Sequence, residues 1–134
     1  MDLDLFNRTG WPYPVRFSGP DGELEELSYV EDIRESLKIL FKTLPGERIA
    51  HPLYGCDLTP FMFRPISLQL LEGIRQAVML AIAQFEARIE VISVEVQTVP
   101  HVPYQLNIEI AFRLPTANYR YNLTIPFYTM EKEN

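Results

Sequence analysis

Few residues of this chain have the types and spacing that enzymatic or metal chemistry requires. Neither histidine, His51 or His101, has a second His or Cys at metal-ligand spacing, so we expect no zinc or iron site. Cys56 is the single cysteine, and it could act as a nucleophile only with a base such as His51. A small buried thiol is the commoner role of a lone cysteine. We therefore predict no catalytic residue, no metal and no cofactor.

Paired carboxylates are the remaining catalytic possibility. Glu47 and Glu86 could serve as the two acids of a glycoside hydrolase. The chain has 18 acidic residues, so carboxylate pairs arise without any catalytic role. Solvated or ion-paired carboxylates are the simpler interpretation.

The segment Glu86-Ala87-Arg88 stands where a helical pattern gives way to a strand pattern. A helix C-terminus favours a cation such as Arg88 but disfavours an anion such as Glu86. Glu86 should therefore have a partner, and Arg88, Arg48 and another protein chain are all candidates. A local ion pair and an interface contact both remain open.

Two helices are predicted to position these residues. Ser28 and Glu31 fit a capping box, which predicts that the first helix begins at Ser28 and ends near Thr43. The second helix should begin near Ser67. Both have apolar residues at helical spacing, namely Val30, Ile33, Leu37, Leu40 and Phe41 in the first, and Leu70, Ile74, Val78, Ala81 and Phe85 in the second.

The connection between the helices, residues 44–66, is rich in proline and in large apolar side chains. The prolines exclude a regular element, while the apolar residues exclude a solvated linker. We expect an ordered segment packed on the core, with a helical turn near Thr59–Phe63.

After the second helix the pattern changes to a period of two. Three amphipathic stretches follow, around residues 92–97, 105–114 and 119–127, joined near His101–Pro103 and Pro115–Asn118. Pro126 cannot donate to a strand ladder, which favours an edge position for the last stretch. The predicted fold is α+β, with two main helices packed on one face of a largely antiparallel sheet that ends in a three-strand meander.

Length and charge restrict the class of protein. The 134 residues fit one domain, with residues 1–12 and 129–134 as flexible tails. The formal charge of −6 falls entirely on residues 1–35, which hold nine acidic and three basic side chains. Nucleic-acid binding needs clustered Lys and Arg, so we predict none. No apolar run reaches the roughly 20 residues of a membrane span, and a single cysteine suits a reducing, cytoplasmic compartment.

The order of several motifs resembles the gene-25-like baseplate wedge family. That family includes the TssE subunits of type VI secretion systems and the wedge proteins of contractile phage tails. The motifs are Thr-Leu-Pro-Gly-Glu-Arg at residues 43–48, Pro-Leu-Tyr-Gly at residues 52–55 and Phe-Glu-Ala-Arg-Ile at residues 85–89. The resemblance spans about residues 10–128, and it departs at Ala87, where the family pattern has proline.

This resemblance implies a structural subunit of a contractile injection machine. Glu86 and Arg88 would contact wedge partners, and the sheet would initiate sheath polymerisation. The residues implied to brace the adjoining loop are Thr43, Gly46, Glu47, Arg48, Pro52 and Gly55. The candidate docking strand for the sheath, Tyr119–Tyr128, carries Tyr119, Tyr121, Leu123, Ile125 and Phe127 on one side.

The implied partners are other baseplate wedge subunits and the contractile sheath protein, with no nucleic acid and no direct membrane insertion. In a secretion system the protein would lie in the cytoplasm at the inner face of the membrane, and in a phage it would lie in the virion tail. Two other functions remain as alternatives: a lysozyme-like peptidoglycan hydrolase, because some relatives have been labelled tail lysozymes, and a small regulatory module of the anti-adaptor type.

Overall fold

Two helices and three strands form in the order that the sequence pattern predicts. The computed structural model describes residues 17, 21–46, 50, 53–62, 64–115 and 119–129. The elements are helix α1 (Gly22–Lys42), a 3-10 turn (Thr59–Phe61), helix α2 (Leu68–Phe85) and strands β1 (Glu90–Val99), β2 (Val102–Arg113) and β3 (Arg120–Tyr128). The α+β class is confirmed. Across these described ranges, no helix has both the length and the apolar character of a membrane span.

The chain divides into two compact units, Met1–Ser36 and Leu37–Asn134. In the first unit the rings of Phe17 and Tyr29 pack at a centroid distance of 5.5 Å. The single domain expected from the length stays a prediction. Of its proposed tails, residues 1–12 and 129–134, only Thr129 lies within the described residues, where it is buried and its N–H donates to the Tyr104 carbonyl at 2.9 Å.

Helix α1 begins at Gly22, so the predicted start at Ser28 is wrong. The residues between them are Glu and Leu, which are strong helix formers. Glu23 and Glu25 also lie in the first turn, where carboxylates interact favourably with the helix dipole. The helix propensity of these residues and the dipole interaction extend the helix toward the N-terminus beyond Ser28, which is an exposed residue within the helix. The predicted C-terminal end near Thr43 is confirmed, because α1 ends at Lys42.

Helix α2 begins as predicted. The Ser67 hydroxyl accepts the Leu70 backbone N–H at 3.1 Å, which satisfies one of the free donors of the first turn. The helix packs against β1. Its buried side chains are Leu70, Ile74, Val78, Ala81 and Ile82.

The described parts of the connection between the helices are packed down, as their composition predicts. The 3-10 turn Thr59–Phe61 confirms the expected helical turn. Tyr54 is buried and meets Phe85 edge to face, with ring centroids 5.1 Å apart. The Phe61 ring occupies the space beside Gly73, where an added Cβ would come within 2.8 Å of it. Gly73 therefore lets the 3-10 turn approach α2 closely.

The sheet is an antiparallel meander in the order β1-β2-β3, and the predicted topology is confirmed. Val94, Ile110 and Leu123 pair across the three strands on the buried side. The first hairpin turns at Pro100 and His101, not at His101–Pro103 as the sequence suggested, because Pro103 already belongs to β2. Pro100 fixes its own φ near −65°, and His101 takes a φ of 67°, so two residues suffice for the turn.

The backbone directions at both sheet edges follow from two observations. The Thr129 N–H donates to the Tyr104 carbonyl at 2.9 Å, and Pro126, which has no N–H, pairs with Asn107. The N–H and C=O groups of successive residues in a strand point to opposite sides in the plane of the sheet. The backbone groups of odd-numbered residues of β3 therefore bond to β2, and even-numbered residues such as Thr124 point their N–H outward. The same alternation through β2 turns the N–H and C=O groups of Val94 and Val96 away from β2.

Candidate interaction surfaces

The corner between α2 and β1 is built by backbone and side-chain bonds of the same few residues. Glu86 is the C-cap of α2 and leaves helical geometry with φ −131° and ψ 83°. Its backbone N–H still donates to the Ile82 carbonyl at 2.8 Å. The chain then turns through Ala87 and Arg88 and enters β1 at Glu90. Four residues thus reverse the chain from helix to strand.

Glu86 and Arg88 form a bidentate ion pair inside this corner. The Arg88 Nε donates to Glu86 Oε2 at 2.7 Å, and its Nη2 donates to Oε1 at 3.1 Å. Both side chains are only 1% exposed. The partner that the helix dipole required for Glu86 is therefore Arg88. Two short parallel bonds to a planar guanidinium are the strong form of such a pair.

The exposure of the corner has consequences for its chemistry. Ala87 is exposed, while the charged residues on either side are buried. In the single chain the surface of the corner is therefore formed by Ala87 and not by the two charges. The ion pair fixes the shape of that surface. Direct contact of Glu86 and Arg88 with a wedge partner stays a prediction.

Three of the predicted loop-bracing residues can be placed. The Thr43 hydroxyl donates to the Ile39 carbonyl at 2.6 Å, and the Thr43 carbonyl accepts the Cys56 N–H at 3.0 Å. Gly55 has φ +136°, and an added Cβ would lie 2.5 Å from the Thr43 carbonyl oxygen. Gly46 has φ +97° with open space around it. The structure thus brings Thr43 and Gly55 together.

The other predicted loop residues, Glu47, Arg48 and Pro52, lie outside the described residues. Their assignment as bracing residues stays a prediction, as does that of Thr43, Gly46 and Gly55.

Among the strands that the structure describes, the candidate docking strand lies at an edge of the sheet, as Pro126 predicts. Of its five apolar-side residues, only Leu123 is buried, whereas Tyr121, Ile125 and Phe127 are half-buried. Tyr119 lies just before the strand and is 63% exposed. The apolar side of β3 is therefore incompletely covered within this chain.

Of the residues considered for catalysis, the structure describes Cys56 and Glu86, while the possible base His51 lies outside the described residues. Glu86 is held by Arg88, and Glu47 lies outside the described residues. Cys56 is buried, its Sγ lies 3.8 Å from the Ala77 carbonyl oxygen, and burial together with the neighbouring Asp57 carboxylate raises its pKa to about 11. Within the described ranges, no group of His, Cys, Asp and Glu side chains could hold a metal ion.

Sequence reasoning missed one feature of the sheet's solvent-facing side. Glu95 of β1 and Glu109 of β2 lie directly opposite each other, so two like charges are adjacent. Glu95 also borders a cleft of about 340 Å³ between α2 and β1. The alternating pattern placed both glutamates on the polar face, but only the strand register brings them together.

Comparison with known proteins gives a consistent set of relatives. The family model described as baseplate wedge protein gp25 matches residues 27–119. A candidate tail lysozyme from Geobacter sulfurreducens is 35% identical, with a TM-score of 0.70 over 78% of this chain and 95% of that chain. No curated protein sequence matched the chain.

Two baseplate assemblies also contain similar chains. A chain of the anti-feeding prophage baseplate is 32% identical, with a TM-score of 0.61, and the match covers 80% of this chain and 85% of that one. A chain of the type VI secretion system baseplate complex has a TM-score of 0.64 over 80% of this chain and 98% of that one. At 15% identity, the second match shows a shared fold alone.

Proposed function

Because the chain belongs to the baseplate wedge protein gp25 family and is a structural baseplate subunit, we propose that it joins the wedge through its α2–β1 corner and starts sheath polymerisation through its sheet. The observation that carries the proposal is the family match over residues 27–119, which contains the corner, the loop and the first two strands. The proposed partners are other wedge subunits and the contractile sheath protein. The proposed location is the cytoplasm at the inner face of a membrane in a secretion system, or the tail in a phage-like particle.

The buried ion pair at the corner supports the wedge-contact part of the proposal. A contact surface of this kind needs a fixed backbone, and the Glu86–Arg88 pair supplies one while leaving Ala87 exposed. Thr43, Gly46 and Gly55, with Glu47, Arg48 and Pro52, would hold the loop that follows α1 in place. Arginine in a bidentate pair is not replaceable by lysine without losing one of the two bonds.

The wedge-contact proposal can be tested with two variants of the corner. Exposed Ala87→Glu should weaken co-purification with the other wedge subunits, because it adds an unpaired charge to the contact surface while leaving the buried pair intact. Ala83→Glu is the matched control, since Ala83 is an exposed residue of α2 outside the corner. Equal co-purification of both variants with the wedge subunits would contradict the assignment.

The open edge of β3 supports the sheath part of the proposal. An added strand would bond to the outward N–H groups of β3 and cover Tyr121, Ile125 and Phe127. Deleting β3 is a poor test, because Leu123 is part of the buried core and β3 pairs with β2 along its whole length. A single backbone donor can be removed instead.

Thr124→Pro removes one outward N–H of β3 and leaves the bonds from β3 to β2 intact. We expect it to reduce sheath assembly in a reconstitution with purified sheath protein, whereas Thr124→Val, which keeps the N–H, assembles sheath normally. Thermal unfolding of both variants verifies the fold. Normal assembly by a folded Thr124→Pro variant would rule out β3 as the docking strand.

The proposal includes the absence of enzymatic activity, although one similar structure is a candidate tail lysozyme. A hydrolase needs an accessible acid, and Glu86 is buried and engaged by Arg88 through both carboxylate oxygens. A turbidity assay on purified peptidoglycan tests this directly. Clearing by the wild-type protein that is lost in a Glu47→Gln variant would establish the hydrolase alternative.

The anti-adaptor type of regulatory module is the second alternative, and a pull-down separates it from the baseplate function. Recovery of wedge and sheath subunits supports assembly. Recovery of a lone response regulator without them would support the regulatory alternative.

A further inference from the structure

The free edge of β1 borders a cleft that the proposed function leaves unused. Among the described residues, β1 pairs with β2 on one side only. The cleft between this edge and α2 has a volume of about 340 Å³, and its apolar lining includes Leu68, Leu71, Val94 and Val96. Leu68 is 85% exposed at the first position of α2. Leucine at that exposure leaves a large apolar surface in water.

The backbone at this edge is ready to pair. Val94 and Val96 direct their N–H and C=O groups away from β2, while their side chains face the buried side of the sheet. A strand laid against β1 could therefore bond to both residues. Its alternate side chains would lie over the cleft and cover Leu68 and Leu71.

The charge at this edge selects the partner strand. Glu95 lies on the solvent-facing side, directly opposite Glu109 of β2. No basic side chain of the described residues pairs with either carboxylate, and Glu95 receives one hydrogen bond, from Gln97 Nε2 at 3.2 Å. A residue placed opposite Glu95 would stand in a non-hydrogen-bonded pair, where facing side chains come closest. A lysine or arginine there would pair with Glu95 and reduce its repulsion from Glu109.

Strand β1 of a second copy of this chain does not fit the edge. Strand β1 contains Glu90 and Glu95 but no lysine or arginine, so pairing β1 with itself would bring no cation to Glu95. Like charges on facing strands disfavour such a pair.

We propose that the free edge of β1 is a second docking site, which binds an extended segment of another protein with apolar residues on one side and a basic residue opposite Glu95. The site is separate from the α2–β1 corner and from the edge of β3. It therefore does not depend on the assignment of β3 to the sheath. Arg75, paired with Glu72 at 2.9 Å on α2, also lines the cleft and would lie over the apolar side of the bound segment.

The test uses two synthetic peptides and the full chain. In the first peptide valine alternates with threonine and lysine, and in the second glutamate replaces lysine. Titration of the lysine peptide, followed by amide NMR, should shift the Val94 and Val96 resonances and slow their hydrogen exchange. Binding of the glutamate peptide should be about 1.4- to fivefold weaker, the range that one cross-strand charge pair provides.

Two variants that each raise the net charge by one separate the specific pair from bulk charge. Glu95→Gln should reduce the preference for the lysine peptide, whereas Gln84→Lys, at an exposed position of α2, should leave the preference intact. Equal effects of both variants would overturn the charge assignment.

Four other outcomes would overturn the docking site itself. Two concern the titration: no shift of the Val94 and Val96 resonances with millimolar peptide, and shifts confined to β3. The other two concern the free chain: protection of both amides from exchange, which would mean that the chain covers its own edge, and sedimentation as a dimer that pairs through β1. Loss of sheath assembly in Thr124→Pro with normal peptide binding at β1 would separate this site from the sheath function.

Discussion

Glu86 and Arg88 show how burial changes the meaning of a charged motif. Their bidentate geometry satisfies both groups within the chain, so each becomes costly to remove alone. Their first effect is on the shape and stability of the α2–β1 corner. The pair can serve an interface and still be invisible on the surface of the single chain.

Removing one member of this pair should destabilise the protein strongly. Glu86→Ala leaves the buried Arg88 guanidinium without its carboxylate, and we expect a loss of about 3–5 kcal/mol in the free energy of unfolding, measured by urea denaturation. The double variant Glu86→Leu with Arg88→Met removes both charges, so it should lie much nearer the wild type. A single Glu86→Ala variant that unfolds like the wild type would show that the pair is not closed in solution.

Cys56 provides a pH-dependent signal at the scale of a residue. Burial, with a smaller contribution from the negative charge of Asp57, raises its pKa from about 9 to about 11. The thiol therefore ionises more easily in the unfolded chain. Its contribution to stability is complete below pH 9 and is lost as the pH rises through 11.

This linkage predicts a difference between the wild type and Cys56→Ala. The gap in unfolding free energy between them should shrink by roughly 2 kcal/mol from pH 8.5 to pH 11. Other groups titrate in this range, but they do so in both proteins and cancel in the comparison. In addition, the native thiol should react slowly with Ellman's reagent at pH 8. A pH-independent gap with rapid labelling would contradict the buried, protonated state.

At the scale of elements, the loop after α1 depends on a backbone contact that only glycine permits. Gly55 has a positive φ and lies against the Thr43–Pro45 backbone, whereas Gly46 has a positive φ in open space. A substitution at Gly46 therefore tests the backbone conformation alone, whereas one at Gly55 tests the conformation and the steric contact together.

Gly55→Ala should cost clearly more stability than Gly46→Ala. The Gly46 change carries only the strain of a positive φ, about 1 kcal/mol, while the Gly55 change adds contacts as short as 2.5 Å with backbone atoms. Thermal and urea unfolding of both variants measure the difference. Equal losses would mean that the loop can move away from Thr43 at little cost.

A substitution in the first hairpin should increase the stability of the protein, in contrast to the glycine substitutions. His101 holds a φ of 67°, which a side chain with a Cβ adopts less readily than glycine. His101→Gly should relieve this strain, although glycine also adds conformational entropy to the unfolded chain. The net gain in the free energy of unfolding should be at most about 1 kcal/mol, seen as a slightly higher midpoint of urea unfolding. Ala substitution at the same position should not raise the midpoint, which separates conformational relief from loss of the imidazole.

At the scale of the whole molecule, charge is distributed unevenly. The net charge of −6 lies in residues 1–35, and the described part of that segment includes the exposed residues Glu23, Glu25, Glu31 and Glu35 of α1. Such a surface either meets a basic partner in the wedge or serves solubility. The family assignment makes the first alternative testable.

Reversing Glu23, Glu25 and Glu26 to Lys should weaken wedge assembly if this surface meets a basic partner. Because Glu23 and Glu25 lie in the first turn of α1, the change also costs some helix stability through the dipole. The triple Glu→Gln variant controls for that loss by removing charge without reversing it. Graded assembly in the order wild type, Gln, Lys, measured by co-purification at low and high salt, supports the contact. Assembly that is equal in all three proteins would leave solubility as the role of this surface.

The sequence by itself determined the elements whose signals are local. The Ser67 cap, the helical spacing of Ile74 and Val78, and the alternation in the three strands each depend on neighbours within a few residues. Pro126 indicated an edge strand for the same reason. The start of α1 also depends on local signals: the capping box at Ser28 predicts a later start, whereas the helix-forming residues at 23–27 extend the helix to Gly22.

Only the tertiary structure decided which residues contact each other when they are distant in the chain, or when the sequence allows more than one partner. The sequence left three candidate partners for Glu86, and the structure shows that its partner is Arg88. The adjacency of Glu95 and Glu109 depends on strand register, and the contact of Gly55 with Thr43 depends on the path of the loop. Such relations follow from packing and register, where a shift of one residue changes every partner, so composition and periodicity cannot fix them.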